Sequence, residues 1–449
     1  MSEQAEQAFQ IGAQFERAGN AEQARAYYAA ALAYDGRHAP AHTNLASLLI
    51  RAGKLEAALA HLSIAASALP GNGMIQSNLG GVLLLLGRYE EARPLLAKAR
   101  QLAPDFRGSW HVSGMLHAAL GMNVEALRCY DRALKLGPGD PIVEGDRGRL
   151  LLSIGDLPAG FAAWEARWRR AGEKHPVWQS GIPRWQGEDL QGKRVFVHFE
   201  QGLGDTLQFC RFVPQLLQRG ARVVLSVQPP LISLLQMSLP GIEVTGPVAA
   251  VKADFHCPLL SLPLHLGVRL QDIKPFPLTF ERGPRQVADD GRLKVGIVWA
   301  GSPAFDLDTH RSMELRQMLP LADSEIALYS LQVGPRAADI EALGVSALVH
   351  DLAPMMTDFM ASARLIDQLD LVVCVDTATL HLAAGIGKPA IALLPFSRCW
   401  RWLRNRDDSP WYPTLRIVQQ KTPGDWAGAV ARARKLLSMP QLQARRAAS

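Results

Sequence analysis

Cysteine is scarce. The five present in 449 residues (Cys129, Cys210, Cys257, Cys374 and Cys399) stand far apart, form no C-x-x-C pair and are odd in number. Neither a disulfide framework nor a zinc site is indicated, and a reducing cytoplasm fits best. Long hydrophobic runs are missing too. The densest apolar stretch, Val82 to Leu86 in GGVLLLLG, falls well short of a membrane span of roughly 18 residues. The opening MSEQAEQAFQ lacks the basic region of a secretory signal. The expectation is a cytoplasmic chain with neither export signal nor integral membrane segment. Charge of one sign is not in large excess either. Lys and Arg number 48 against 42 Asp and Glu, and they are dispersed, so a nucleic-acid partner is not called for. What is present, 48% hydrophobic and 20% charged residues, is a globular composition. At roughly 150 residues per domain the length makes about three folding units.

The amino-terminal third repeats every 34 residues. One column holds Gly12, Ala46, Gly80, Gly114 and Gly148, and seven residues later stands a turn glycine (Gly19, Gly53, Gly87, Gly121, Gly155). Small residues follow at Ala24, Ala58, Ala92, Ala126 and Gly160, then large ones at Tyr28, Leu62, Leu96, Tyr130 and Trp164. Ala31, Ala65, Ala99 and Ala133 complete the pattern, and Pro70, Pro104 and Pro138 end their copies. Small residues let paired helices approach, large ones fill the gap, and glycine turns the corner. The array resembles the tetratricopeptide repeat. Five copies cover about residues 5 to 174, the last degenerate, with Arg167 in the alanine column. The resemblance implies an α-solenoid whose concave face binds a protein or peptide; the alternative is that the array spaces or dimerises the next domain.

From Pro176 the helical repeat stops, and VWQSGIPRWQGEDLQGK reads as a connection. Strand-like runs then alternate with helical stretches: RVFVHFE, RVVLSV and ADFHC, then LKVGIVWAG, IALYSLQ, DLVVCVD and AIALLPF, with helices from about Asp205 and near Leu231, Leu315, Phe359 and Thr379. Such alternation predicts α/β structure with parallel sheets. The Pro/Arg-rich stretch at 272–292 divides it into two Rossmann-like lobes, with ligands at the carboxyl ends of the strands. The expected organisation is a repeat array over 1–175, a linker over 176–192, a first lobe over 193–275 and a second over 290–440.

Four clusters fall at those strand ends. In FVHFEQGLGDTLQF, Gly202 and Gly204 allow close backbone approach, and Asp205 reads either as a helix cap or as a general base. The loop WAGSPAFDLDTHRSMEL carries Ser302, Arg311 and Ser312; Arg311 is suited to a diphosphate or is a lone surface arginine. In LVVCVDTATLHLAAG a buried strand ends at Asp376 and Thr377, and a helix opens at once through Ala378. Its amino terminus suits a phosphate, with His381 one turn in as a donor; otherwise Asp376 caps the helix and His381 is a satisfied half-buried histidine. PFSRCWRWLRNRDDSPWYP interleaves Arg398, Arg401, Arg404 and Arg406 with Trp400, Trp402 and Trp411, which reads as packing plus one or two ligand-facing arginines.

Five marks, Glu200 to Asp205, Trp299 to Pro303, Arg311 with Ser312, Asp376 to Ala383 and Asp408 to Pro413, make the chain similar to bacterial tetratricopeptide glycosyltransferases with a heptosyltransferase-like domain. The resemblance implies a GT-B fold with the acceptor on the first lobe and a nucleotide sugar on the second. It implies Asp205 as the catalytic base and Gly202, Gly204, Ser302, Arg311, Ser312, Asp376, Thr377, Ala378 and His381 as donor and phosphate ligands. Glu200, Gln208, Trp299, Arg398 and Trp400 are candidates for sugar or nucleotide contacts. Two departures, Ala378 where heptosyltransferases have glycine and Arg311 where they have lysine, point away from an ADP-heptose donor. The paired histidines of repeat-bearing O-linked N-acetylglucosamine transferases are not evident. The expectation is an inverting, metal-independent transferase that uses a nucleotide-sugar co-substrate and no bound cofactor. Its expected acceptor is a protein, peptide or glycan hydroxyl, and the repeats also offer an oligomer contact. The competing readings are a non-catalytic repeat scaffold with a sugar-nucleotide-sensing domain and, a distant third, a sugar epimerase.

Overall fold

A computed structural model describes residues 2–170, 181–248, 251–303 and 308–437. Residues 1 and 171–175 of the expected repeat array, 176–180 of the expected linker, 249–250 of the first lobe, and 304–307 and 438–440 of the second lie outside them. The chain divides into two compact units, Met1–Leu150 and Leu151–Ser449.

The first unit is helical. Eight helices, Glu3–Arg17, Ala21–Tyr34, Ala39–Arg51, Leu55–Ala68, Gly73–Leu85, Tyr89–Leu102, Arg107–Ala119 and Asn123–Leu136, pack in successive pairs, and a ninth begins at Pro141. Their corners are the turn glycines, with φ of +78° at Gly19, +71° at Gly53, +73° at Gly87 and +77° at Gly121. Residues with a Cβ reach that conformation only with strain. The other glycine column is a packing requirement. A Cβ at Gly12 would sit 2.8 Å from the Tyr28 ring, at Gly80 2.7 Å from Leu96, and at Gly114 2.7 Å from Tyr130. Each small residue thus receives the large residue sixteen positions on, and the 34-residue sequence period becomes a period of packed helix pairs.

The second unit holds two parallel sheets. The first has strand order β3-β2-β1-β4, with β1 Arg194–His198, β2 Arg222–Ser226, β3 Glu243–Thr245 and β4 Phe255–Pro258. The second has order β10-β9-β8-β5-β6-β7, with β5 Leu293–Val298, β6 Ile326–Ser330, β7 Val349–Asp351, β8 Leu371–Val375, β9 Ala390–Leu394 and β10 Leu415–Gln419. The seven expected strand runs all form. The three additional strands, β3, β7 and β10, lie at sheet edges, and β3 and β7 have only three residues each, too few to show a period. Strand order reverses between β1 and β4 in one sheet and between β5 and β8 in the other. Ligands of open parallel sheets bind beyond the carboxyl ends of strands at such points, and the segments after β1, β5 and β8 carry three of the four sequence clusters.

The second unit takes in more than the two sheets. The helix Leu157–Trp164, which the repeat alignment gives to the fifth copy, buries Leu157, Phe161 and Trp164 in the same core as Val195, Phe209 and Trp400. Burying side chains of this size stabilises by about 1.5–3 kcal/mol each. The segment 181–192 also packs here: Trp185 is fully buried and its amide donates to the His256 carbonyl (2.9 Å). Farther along, the Pro/Arg-rich stretch between the sheets runs beside the helix Ala378–Gly385, where the Leu278 amide donates to the Gly385 carbonyl (2.9 Å). Among the described residues no helix is long and apolar enough to cross a membrane.

Candidate active site

After β1 the chain turns at Gly202 into the helix Leu203–Phe209, and after β8 it turns at Thr377 into the helix Ala378–Gly385. These two helices, one from each sheet, pack against each other. Gly204 makes that possible, since a Cβ there would stand 2.8 Å from the His381 ring and 3.5 Å from the Ala378 Cα. Its glycine therefore serves the contact between the lobes. Gly202 is open on that side, and the nearest atom to a built Cβ is Asp205 Oδ2 at 3.4 Å.

Asp205 stands three residues inside the helix, whose N-cap is Gly202, so its capping is by the side chain from the first turn and not from the N-cap position. Its Oδ2 accepts from the Gly202 amide (3.0 Å), which closes the first turn of the helix. Its Oδ1 faces the other lobe and is ion-paired with Arg401. Beyond that pair lies Asp376, at the end of β8. Burial raises the Asp376 carboxyl above the usual carboxylate range, and the Trp402 indole and the Arg401 and Arg311 guanidiniums pull against that rise.

His381 is buried. It stacks on Trp402 with ring centroids 5.0 Å apart, its Nδ1 lies 2.9 Å from the Tyr412 hydroxyl, and its Nε2 is 3.9 Å from Asp376 Oδ1. Burial, with Arg401 and Arg211 nearby, pushes its pKa down to about 3, so the ring is neutral near pH 7. A neutral imidazole with one nitrogen held by Tyr412 has the other to offer as a neutral hydrogen-bonding group, not as a second cation. Thr377 caps the helix by backbone geometry, and its hydroxyl lies 3.1 Å from Cys374 Sγ. The Ala378 methyl begins the first turn.

The loop after β5 is closed by a residue that the sequence reading did not single out. Asp308 accepts from Arg311 Nε (2.9 Å) and from Ser312 Oγ (2.9 Å), and Ser312 Oγ in turn accepts from the Gly301 amide (2.9 Å). The i, i+3, i+4 spacing D-x-x-R-S is the sequence signal for that clasp. Ser302 is exposed beside it.

Other candidates sit away from this cluster. Glu200 is buried, and its carboxylate accepts from Arg167 Nε (2.8 Å), Arg167 Nη2 (3.0 Å) and the Leu260 amide (3.1 Å). Trp299 is fully buried in the second sheet's core, where its indole donates to Asp339 (2.9 Å) and its amide to Gln332 (3.2 Å). Trp400 is buried against Phe161, Trp164 and Phe209 at centroid distances of 6.0, 5.4 and 6.1 Å. Arg398 donates to the Arg406 carbonyl (3.0 Å), and burial with Arg404 and Arg406 nearby pushes it down to about 10. Gln208 is fully buried in the helix Leu203–Phe209 with no partner for its amide among the described residues.

The D-S-P-W-Y-P segment supports the cluster from below. Tyr412 holds His381, the Trp411 indole donates to the Arg401 carbonyl (2.7 Å), and Arg211 from the first lobe donates to the Trp411 carbonyl (2.9 Å). Among the described residues no three His, Cys, Asp or Glu side chains are grouped to hold a metal ion. The site thus consists of two carboxylates on facing lobes, a buried arginine between them, a neutral histidine and the amino terminus of a helix.

Comparison with known proteins finds two families, and the repeat match runs past Leu150 into the second unit. Residues 12–73, 43–105 and 113–176 match the tetratricopeptide repeat family, and residues 334–422 match Glycosyltransferase family 9 (heptosyltransferase). The chain carries tetratricopeptide repeats followed by a carboxy-terminal heptosyltransferase-like glycosyltransferase domain. The second match takes in β7 to β10 with Asp376, His381 and Tyr412, whereas Asp205 and Arg311 lie outside it. The chain is similar to Protein FlbA of Caulobacter vibrioides, 27% identical over 374 residues, which make up 74% of this chain and 61% of that protein. It therefore spans about three-fifths of the length of that relative. Its solved neighbours include a thermophilic repeat protein of Thermus thermophilus, 20% identical, covering 38% of this chain and 93% of that one at a TM-score of 0.34. Pseudomonas aeruginosa PilF is 24% identical and covers 38% of this chain and 78% of its own, also at 0.34.

Proposed function

We propose that the second unit transfers a sugar from a nucleotide-sugar donor to a hydroxyl acceptor in a single inverting displacement. Asp205 takes the proton of the acceptor hydroxyl as that oxygen bonds to the anomeric carbon. The bond from that carbon to the diphosphate breaks, and its electron pair leaves with the nucleoside diphosphate. Arg311 and the amide groups opening the helix Ala378–Gly385 stabilise the departing charge, with Thr377 and neutral His381 donating to phosphate or sugar. Fixed protein charge does the work that a divalent cation does elsewhere. The observation that carries this reading is the Asp205–Arg401 pair and the Asp376–His381 pair, set where two parallel sheets bring their switch-point helices into contact.

The donor is a nucleotide-linked hexose, heptose or N-acetylhexosamine, and Ala378 and Arg311 weigh against ADP-heptose. The acceptor hydroxyl belongs to a protein, a peptide or a glycan, and the repeats supply its docking surface or that of a partner. Calorimetric titration with UDP-, GDP-, ADP- and dTDP-sugars, repeated on Asp376→Ala, tests the donor site. Selective binding weakened at least about tenfold by the substitution is expected. Failure of the whole panel to bind would favour the scaffold reading, in which the repeats are the working part.

A further inference from the structure

The arginine that faces the reacting groups is Arg401. Its side chain is only 13% exposed, and its Nη2 is ion-paired with Asp205 across the lobe boundary. The same Nη2 donates to Gln201 Oε1 (3.2 Å) and Nη1 donates to Cys399 Sγ (3.2 Å), both neutral acceptors. The guanidinium lies over the Trp400 ring, 4.5 Å from its centroid, and its Nε is buried with no partner among the described residues. Asp376 is also near enough to favour its charge. With Arg401 on Oδ1 and the Gly202 amide on Oδ2, each oxygen of Asp205 already accepts a hydrogen bond. A lone pair is left on each oxygen, but the guanidinium beside Oδ1 offsets the carboxylate's charge and makes it a weaker proton acceptor.

We propose that Arg401 is a donor-operated latch. In the free protein it neutralises Asp205; when a nucleotide sugar enters, its diphosphate takes over the guanidinium, and Asp205 is released to act as base. This rests on the transferase reading of the site and deepens it. A diphosphate brings more negative charge than one carboxylate, and bidentate contact to phosphate suits a guanidinium whose Nε is still unused. The backbone of Arg401 is held by the Trp411 indole on its carbonyl, so the exchange needs a change of side-chain direction, not movement of the backbone. The latch orders the reaction: donor first, then an active base, so that no acceptor is deprotonated in an empty site.

The test is calorimetric titration of the full chain with UDP, GDP, ADP and dTDP, comparing wild type, Asp205→Asn, Arg401→Gln and the double variant. Asp205 and the diphosphate compete for one guanidinium, so Asp205→Asn binds the preferred diphosphate about tenfold more tightly than wild type. Arg401→Gln binds it about tenfold or more weakly, and the double variant matches Arg401→Gln alone. A role confined to holding the fold would not tighten binding in Asp205→Asn. Arg401→Lys, which keeps the charge in case the glutamine variant unfolds, gives an intermediate loss. Unchanged or weaker binding by Asp205→Asn, or wild-type binding by Arg401→Gln, overturns the latch and leaves the transferase reading standing. Binding of none of the four by either wild type or Asp205→Asn overturns both.

Discussion

Asp205→Asn loses sugar transfer by about 10²- to 10⁴-fold in kcat, the contribution of a positioned general base, while donor binding is not weakened. The substitution keeps the shape of the side chain and an oxygen for the Gly202 amide, so the first turn of the helix Leu203–Phe209 stays closed. What it removes is the proton acceptor and the charge opposite Arg401. On the proposed division of roles, with Asp205 as base and the diphosphate held by Arg311, Arg401 and the helix Ala378–Gly385, the loss falls in kcat. Steady-state rates with the identified donor and acceptor, set beside calorimetric donor affinity, separate the two quantities. Wild-type turnover in Asp205→Asn would remove Asp205 from the role of base. Lost donor binding would mark it as a ligand instead.

Arg167→Met destabilises the second unit by about 3–5 kcal/mol, the cost of leaving a buried carboxylate without its cation. Arg167 is 3% exposed, and two of its nitrogens meet both oxygens of Glu200, whose side chain is fully buried. A third interaction joins Arg167 Nη1 to Glu165 (2.6 Å), and Ser261 accepts from Nη2 (2.7 Å). Burial on its own would raise Glu165, but Arg167 and Arg184 outweigh it and hold that carboxyl below its ordinary range. Arg167 stays charged because Glu200 and Glu165 together outweigh its own desolvation. Urea unfolding of the full chain measures the change. Arg167→Lys recovers part of it, since an ammonium restores the charge without the fork that meets both Glu200 oxygens. Unchanged stability together with weakened nucleotide-sugar binding would instead return Glu200 to the ligand site.

That network shows what one sequence can and cannot disclose. The 34-residue period was legible because each repeat solves the same packing problem locally, so that Gly114 and Tyr130 stand in columns that recur. Arg167 registered only as a misfit in the alanine column, because its partner Glu200 lies 33 residues on in a different kind of structure. The strand-end clusters were legible as apolar runs ending in polar residues, and they led to Asp205, Asp376 and His381. The residues that support them stood in the fourth cluster, but which group each supports was not legible. Tyr412 under His381 and Arg401 against Asp205 are 31 and about 200 residues away from the groups they hold, and no periodicity links such pairs. Trp299 and Trp400, read as ligand contacts because they adjoin the right motifs, turn into the core instead. Adjacency in sequence alternates between faces, and only the fold says which face is the cleft.

The most direct test of sugar transfer at this site is to follow the donor's anomeric proton by NMR while the full chain is incubated with its preferred nucleotide sugar and an acceptor. The expected result is loss of the donor signal, release of one nucleoside diphosphate for each sugar transferred, and a product of opposite anomeric configuration. A product that retains the donor's configuration would contradict the single displacement at Asp205. A donor bound but never consumed would contradict transfer itself.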